Sequence, residues 1–200
     1  MREPFAKFIE SELSPDALLI TCGLPASFKT ETAEEVTKIK GYSMIRTDIV
    51  RLEVLKGEDI FDEKVASDME KREKVYNEVF RRAGETLAKG QGVILDATFI
   101  KQSLRRRAAE IAAMNNRLFV IMQTSSPEEI SLARIKKRTR ENYESNALTE
   151  QAYMNNKAKF EEVDLSELKE QYPNLDILHF VVDTQYDQPE YWHVIEVNRG

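Results

Sequence analysis

Apolar residues along the chain follow two alternating patterns, short continuous runs and stripes at helical spacing. The runs read ALLITC (17–22), YSMIR (42–46), GVILDAT (92–98), RLFVIMQT (117–124) and DILHFVVDT (176–184). Runs of this kind are typical of strands buried on both faces of a parallel sheet. Between them, apolar positions at helical spacing predict helices over residues 4–13, 30–40, 66–89, 101–114 and 149–160. The alternation predicts an α/β fold, with helices on both faces of a five-stranded, mainly parallel sheet.

Local signals mark where several of these elements begin and end. Gly41 follows the helix predicted over 30–40, as expected of a C-terminal cap. The stretch Ser126-Pro127-Glu128-Glu129 predicts a helix start, with Ser126 in a capping box and Pro127 at the first helical position. The tail YWHVIEV (191–197) is a candidate sixth strand.

Composition narrows the class of protein. The 200 residues suit a single domain over residues 1–200, with an N-terminal helix in 1–14. One cysteine excludes an internal disulfide, and no Cys/His cluster has zinc-ligand spacing. No apolar run reaches membrane-spanning length and the N-terminus lacks a signal-peptide core, so we expect no membrane partner and a cytoplasmic protein. The net charge of −6 argues against broad capture of nucleic acid, although a local basic groove stays open.

The stretch GLPASFKT (23–30) has the spacing of a phosphate-binding P-loop, G-x-x-x-x-G-K-[ST], with Phe28 in place of the second glycine. It follows a predicted strand and opens a predicted helix, where helix N-terminus and loop N–H groups together bind phosphate oxygens. The expected nucleotide-binding residues are therefore Gly23, Pro25, Ala26, Ser27, Phe28, Lys29 and Thr30. In this motif Lys29 reaches the β- and γ-phosphates of ATP, and the Thr30 hydroxyl coordinates Mg²⁺. The alternative is an ordinary strand-to-helix turn.

Two acidic residues and one arginine are candidates for the chemistry beside this loop. Asp48 follows the strand YSMIR, at the carboxyl edge of the sheet where α/β proteins bind ligands, and could act as general base. A helix N-cap is its alternative role. Arg51 lies one helical turn further, where it can pair with Asp48 or Glu58. Asp96 ends a buried strand, where it either bonds to Thr30 and contacts Mg²⁺ through water, or is satisfied by loop amides.

Two basic stretches have different predicted roles. Within the run at 134–140, Arg134 and Arg138 lie one helical turn apart, and Arg138 is our candidate for stabilising charge on the transferred phosphoryl group. The alternative for this run is a solvated helix face. The stretch LRRRAAEIAAM (104–114) is interpreted as the outer face of a helix.

Three stretches together resemble the P-loop kinase-like ATPases, which include the kinase domains of polynucleotide kinases and zeta toxins. They read LLITCGLPASFKT, SMIRTDIVR and KVYNEVFRRAGETLAKGQGVILDATFIKQSLRRRAAEIA, and the likeness spans about residues 17–140, with a weaker echo in HFVVDT. The resemblance implies a three-layer α/β/α fold. Counting the strands in chain order, it also implies sheet order 2-3-1-4-5.

The resemblance also implies roles for particular residues. Asp48 matches the acid that takes the proton from the acceptor hydroxyl, Arg51 an arginine near the acceptor, and Asp96 a Walker B-like acid on the magnesium side. It places a mobile lid at about residues 134–160, which contains Arg138. The expected cofactors are ATP and Mg²⁺, and the expected partners are a nucleotide and an unidentified hydroxyl-bearing acceptor.

Phe28 leaves three functions open. A benzyl group at the glycine position must either swing away from the phosphates or occupy their place, and a strained backbone there costs about 1–3 kcal/mol. The leading prediction is an ATP- and Mg²⁺-dependent small-molecule kinase. The alternatives are a nucleotide-binding regulatory protein whose catalysis Phe28 impairs, and a polynucleotide 5′-hydroxyl kinase.

Overall fold

A computed structural model describes residues 2–58, 68–137 and 149–200, and its strands form one sheet. In chain order the strands are β1 (Glu3–Pro4), β2 (Leu18–Cys22), β3 (Ser43–Arg46), β4 (Val93–Asp96), β5 (Phe119–Ser125), β6 (Ile177–Asp183) and β7 (His193–Arg199). The sheet order is β1-β7-β6-β5-β2-β4-β3. Read from the β3 edge, the first five strands are β3-β4-β2-β5-β6, which is the predicted order 2-3-1-4-5.

The sheet is larger than predicted, with seven strands in the described residues instead of five. All neighbouring pairs from β3 to β6 are parallel. The two additional strands are antiparallel: β7, the candidate sixth strand, pairs with β6, and β1 pairs with β7. β1 is only two residues long, which is too short for the sequence pattern to reveal a strand.

Helices cover both faces of the sheet, which confirms the three-layer α/β/α prediction. The helices are α1 (Phe5–Glu12), α2 (Lys29–Lys40), α3 (Thr47–Val54), α4 (Met69–Ala88), α5 (Gln102–Met114), α6 (Glu128–Lys136), α7 (Glu150–Lys159) and α8 (Leu165–Gln171), with a 3₁₀ turn at Pro189–Tyr191. One face packs against α3, α4, α5 and α8. The other packs against α1 and α2. Within the described residues, no helix combines the length and apolarity needed to cross a membrane.

A smaller apolar cluster lies at the end of the sheet where β2 leads into α2. Ala26 of the connecting loop is buried there with Ile135 of α6 and Tyr153 of α7. The helices α6 and α7 therefore pack on the P-loop region itself, separately from the two main layers.

Two local predictions are wrong. Ser126 caps no helix: α6 begins at Glu128, Pro127 is its N-cap, and the Ser126 hydroxyl instead accepts a hydrogen bond from Arg134. Arg105 does not lie on the outer face of α5 but is fully buried. Its guanidinium donates to the carbonyls of Phe99, Glu161 and Glu162, so its charge is satisfied by backbone oxygens.

Candidate nucleotide-binding and catalytic site

The loop of residues 23–30, called the phosphate loop below, is curled tightly between β2 and α2. Three of its residues have positive φ: Gly23 at 140°, Ala26 at 60° and Phe28 at 58°. Alternating left-handed and ordinary residues turn successive N–H groups toward a common concavity, the geometry that binds anions in P-loops. The loop therefore has the form expected of a phosphate cradle despite the missing second glycine.

The first glycine is required by close packing. A Cβ on Gly23 would lie 2.7 Å from Oγ1 and 2.8 Å from the carbonyl oxygen of Thr124. Thr124 belongs to β5 and also bonds to the loop, since its Oγ1 is 2.6 Å from Ser27 Oγ. From the end of the neighbouring strand β6, Thr184 Oγ1 donates to Ser27 O at 3.0 Å. The loop is thus held by two threonine hydroxyl groups, one within β5 and one directly after the adjacent strand β6.

The first turn of α2 carries the two polar side chains of the motif. Lys29 Nζ donates to the carbonyl of Leu24 at 2.6 Å, so the lysine folds back across the loop. Thr30 Oγ1 donates to Asp96 Oδ2 at 2.7 Å, which is one of the two arrangements predicted for Asp96. The same carboxylate lies 3.2 Å from Thr21 Oγ1 through Oδ1, and its Oδ2 is 3.8 Å from Arg46 Nε. Two hydroxyl groups and an arginine therefore lie around the Asp96 carboxylate.

The donor set at Thr30 and Asp96 suits Mg²⁺. A hydroxyl and a carboxylate are hard oxygen ligands, and Mg²⁺ in phosphate sites takes only one or two protein ligands, with waters and phosphate oxygens supplying the rest. In the described parts of the chain, no cluster of three or more His, Cys, Asp or Glu side chains could hold a metal ion by itself. This arrangement fits a metal held jointly with a phosphorylated ligand.

Asp48 lies just after β3, the strand that pairs with β4, and Asp96 is the last residue of β4. Arg46 of β3 is in register with Asp96 of β4, and Asp48 is the second residue of the helix that starts at Thr47. Asp48 is therefore not the N-cap of α3. Arg51 Nη1 donates to Asp48 Oδ1 at 2.9 Å, so the two residues form the pair that the sequence left as an alternative.

The environment of Asp48 makes it a better proton acceptor than an ordinary aspartate. Burial raises the pKa of the Asp48 carboxyl above its usual value. Arg51 opposes the rise, Asp96 adds to it, and Arg46 and Lys29 lower the pKa again. These influences show that Asp48, Asp96 and Lys29 share one electrostatic neighbourhood, at the carboxyl edge of the sheet.

The Phe28 ring leaves the loop on the side away from Thr30 and Asp96. Its centroid is 5.8 Å from that of Trp192, and the Arg134 guanidinium carbon lies 3.7 Å above its face. Thr30 points toward β4, whereas Trp192 precedes β7, beyond β5 and β6 in the sheet. A left-handed backbone is costly for a bulky residue, about 1–3 kcal/mol, and the contacts of the ring offset that cost.

Arg134 is bound on several sides, and this was missed from the sequence. Its guanidinium donates to Ala26 O at 3.3 Å in the loop, to Thr184 O at 2.9 Å and Gln185 O at 3.1 Å after β6, and to Asp187 Oδ1 at 3.0 Å. The side chain is only 12% exposed, so Arg134 does not belong to a solvated face. Apart from Ser126, its partners lie 50 to 108 residues away along the chain, so local sequence does not identify them. Arg138 lies outside the described residues.

Comparison with known proteins agrees with this geometry. The AAA_33 family model, described as an AAA domain, matches residues 18–163. A sugar kinase from Janibacter sp. HTCC2649 has a similar structure, with a TM-score of 0.61 and 16% identity over 88% of this chain and 89% of that one. A gluconokinase from Sinorhizobium meliloti 1021 has a TM-score of 0.57 and 16% identity, over 87% and 86% of the two chains.

A third similar structure, Kti12 of Chaetomium thermophilum in complex with ADP-AlF3, has a TM-score of 0.55 and 19% identity over 74% of this chain and 81% of that one. Comparison with curated proteins gave no match. Because the family match spans most of the chain, the chain belongs to the AAA domain family AAA_33, and its fold is similar to those of the sugar kinase and the gluconokinase.

Proposed function

We propose that the protein is a Mg²⁺-dependent kinase that transfers the γ-phosphoryl group of ATP to the hydroxyl of a small molecule. The observation that carries this proposal is the position of Asp48 at the carboxyl edge of the sheet, where it is bonded to Arg51 at 2.9 Å and lies two residues beyond Arg46, which is in register with Asp96. A protein that only binds nucleotide has no chemical need for a proton acceptor there. The fold that the chain shares with a sugar kinase and a gluconokinase supports the class of acceptor, a hydroxyl-bearing small molecule.

The loop and its lysine bind the nucleotide. We expect the N–H groups of the loop, apart from Pro25, which has none, to face the phosphates from the concave side of the loop, and Lys29 to turn from Leu24 O to the β- and γ-phosphates. Thr30 and Asp96 would hold Mg²⁺, which would supply positive charge to neutralise the phosphates. These interactions position the γ-phosphorus and stabilise the leaving ADP.

Asp48 acts on the acceptor. Its carboxylate orients the hydroxyl of the acceptor and takes its proton, as the hydroxyl oxygen forms a bond to the γ-phosphorus and the bond from that phosphorus to the bridging oxygen of ADP breaks. Arg51, held 2.9 Å from Asp48, keeps the carboxylate oriented and contributes positive charge toward the incoming acceptor. The products are ADP and a phosphate monoester. Arg138 stays our candidate for neutralising charge on the transferred group.

A second candidate function is nucleotide binding without turnover, and the left-handed backbone of Phe28 favours it. A bulky residue in that conformation carries strain that a glycine avoids, and a functional P-loop with glycine has none of it. In this alternative the chain binds ADP or ATP, and Asp48 serves only to pair with Arg51.

Calorimetric titration and a transfer assay separate the two functions. The first step is to titrate the full chain with ADP and ATP, each with and without Mg²⁺. The second is to follow transfer of labelled γ-phosphate to a panel of sugars, sugar acids, polyols and oligonucleotide ends. We expect Mg²⁺-dependent binding and transfer to one small-molecule class, which Asp48→Asn abolishes. Binding without transfer to any acceptor supports the regulatory alternative, and transfer to oligonucleotide ends alone supports the polynucleotide kinase. Absence of nucleotide binding rejects the proposal.

A further inference from the structure

Phe28, Arg134 and Trp192 form a continuous contact, called the ring stack below, on one flank of the phosphate loop. We propose that Phe28 is a positioning residue. The contacts of its ring with Arg134 and Trp192 hold the phosphate loop in the left-handed form that binds phosphate. The proposal rests on the proposed function for its ligand, a nucleoside di- or triphosphate. It assigns to Phe28 a supporting role in place of an obstructive one.

The first step concerns the backbone. Phe28 has φ 58° and ψ 36° at the N-cap of α2, a conformation that glycine reaches freely and that a phenylalanine leaves readily unless its surroundings hold it. A glycine at this position has no side chain by which the protein could hold it. A phenylalanine has a ring, and the ring can be fixed from outside the loop.

The second step concerns Arg134, which fixes one face of the ring. A guanidinium carbon 3.7 Å from the ring centroid is close enough for a strong cation–π contact. The same guanidinium donates to the carbonyl oxygen of Ala26, two residues before Phe28, and to the carbonyls of Thr184 and Gln185. One side chain thus bonds to the backbone of the loop, stacks on its ring and ties both to the segment after β6. Asp187 compensates its charge.

The third step concerns Trp192, the second partner of the ring, whose centroid lies 5.8 Å from that of Phe28. Trp192 is 1% exposed, and its indole Nε1 donates to Tyr186 O at 2.8 Å. Its ring also meets Phe5 of α1 edge-on at 6.0 Å between centroids. The indole is therefore immobile, and it is part of the apolar layer that covers the sheet. Phe28 is packed against this layer and joins the phosphate loop to it.

These contacts predict whether removal of the Phe28 ring weakens or strengthens nucleotide binding. If the ring holds the loop, both Phe28→Ala and Phe28→Gly loosen it and weaken nucleotide binding, although the glycine relieves the backbone strain. If the ring obstructs the phosphates, Phe28→Gly binds nucleotide more tightly than the wild type does. The two interpretations of Phe28 thus give opposite results for one variant.

Phe160→Ala is a matched control within the same chain. Phe160 is half-buried like Phe28, and an arginine, Arg105, lies over its ring at 5.3 Å from the centroid. It packs against the apolar layer on the opposite face of the sheet. The substitution removes the same ring and the same kind of cation–π contact, and leaves the ring stack intact.

The test begins without ligand, by amide hydrogen exchange of the full chain. Two bonded amides bracket the loop, Gly23 N–H to Thr98 O at 3.1 Å and Thr32 N–H to Phe28 O at 2.9 Å. Exchange at these amides is compared with exchange of the β5 amides, which report global unfolding. We expect Phe28→Ala and Phe28→Gly to speed exchange of both loop amides about tenfold relative to β5, as loss of a buried cation–π contact implies. Phe160→Ala should leave this ratio unchanged.

Calorimetry with ADP and Mg²⁺ is the second readout, and we expect both Phe28 variants to bind about tenfold more weakly than wild type. Unchanged exchange at the loop amides, equal changes in Phe160→Ala, or tighter binding by Phe28→Gly overturns the proposal. If the wild type binds no ADP, the proposed function fails, and the exchange data alone then decide whether the ring stack holds the loop.

Discussion

The two flanks of the phosphate loop are built on different principles. The metal-side flank, formed by Thr30, Asp96 and Asp48, consists of polar groups whose positions follow from the strands that carry them. The opposite flank is the ring stack of Phe28, Arg134 and Trp192, in which a planar ring lies against a cation and an indole. The metal-side flank has the residue types that phosphoryl transfer requires. The ring-stack flank departs from the motif at its one substituted position.

The contrast shows why one substitution can be tolerated in a motif that otherwise depends on glycine. Glycine serves a P-loop in two ways, through positive φ and through close approach. At Gly23 glycine is needed because the loop packs closely against β5: a Cβ there would lie 2.7 Å from Thr124 Oγ1. At residue 28 the backbone is left-handed, with φ at 58°, and the side chain lies against Arg134 and Trp192 on the ring-stack flank. The same motif therefore keeps its first glycine and loses its second.

The largest expected effect is on the metal-side flank, from Asp48→Asn. Loss of a general base lowers the turnover number by about 10²–10⁴-fold, while the affinity for ADP stays within about twofold. Steady-state kinetics and calorimetry measure the two effects.

Asp16→Asn is a matched control for this variant. Asp16 has a similar exposure to Asp48, 30% against 31% for the side chains, and also pairs with an arginine, but it lies before β2 at the other end of the sheet. We expect its turnover to equal that of the wild type. A similar loss of turnover in both variants would contradict the role of Asp48.

A second effect concerns the loop that both flanks share. Gly23→Ala should lower the free energy of unfolding by about 3 kcal/mol, because a Cβ collides with β5 in addition to straining the backbone. Gly41→Ala is the control, since its φ is also positive, at 71°, but nothing lies within 4 Å of the added Cβ. It should cost only about 1 kcal/mol. Urea unfolding measures both, and equal costs would mean that close approach at Gly23 is unimportant.

A third effect concerns Mg²⁺ and the hydroxyl of Thr30. Thr30→Val removes the hydroxyl that bonds to Asp96 and keeps the shape of the side chain. We expect ADP with Mg²⁺ to bind about tenfold more weakly, a loss of about 1.4 kcal/mol, and ADP without Mg²⁺ to bind unchanged. Thr30→Ser, which keeps the hydroxyl, should restore the metal dependence. An equal loss with and without Mg²⁺ would place Thr30 outside the metal site.

The smallest effect is a dependence of stability on pH. Burial raises the pKa of Asp48 above 3.8, so the folded state holds this proton more firmly than the unfolded state does. The contribution of Asp48 to stability is therefore greatest below the unfolded pKa and falls as the pH rises to the folded pKa, above which it is constant. As the pH rises from the unfolded to the folded pKa of Asp48, the free energy of unfolding of the wild type should fall relative to that of Asp48→Asn. Urea unfolding at a series of pH values measures this difference. A difference that does not vary with pH, or varies in the opposite sense, would contradict the raised pKa.

The sequence predicted the parts of the structure that depend on local pattern. Apolar runs identified the five core strands, and the glycine loop located the edge of the sheet where Thr30, Asp96 and Asp48 meet. The resemblance to P-loop kinases supplied the strand order, which periodicity cannot reveal. The two-residue strand β1 was missed because a pattern of alternation needs more residues.

The ring stack was not predictable from local sequence because its contacts are long-range. Phe28 was expected to point either away from the loop or into it, and no local feature indicates that Trp192 receives the ring. The interpretation of Arg105 failed for a related reason: an arginine is buried only where carbonyl oxygens converge, and those of Glu161 and Glu162 come from a distant segment. The Ser126 cap failed because Arg134 takes its hydroxyl.

The most direct test of this account is a crystal structure of the full chain with ADP, Mg²⁺ and an aluminium fluoride analogue of the transferred phosphoryl group. We expect the β-phosphate to lie inside the curve of residues 24–29, with the Phe28 ring still between Arg134 and Trp192 and with Thr30 and Asp96 on the metal side. A Phe28 ring inside the loop, or a nucleotide bound elsewhere on the molecule, would contradict the account.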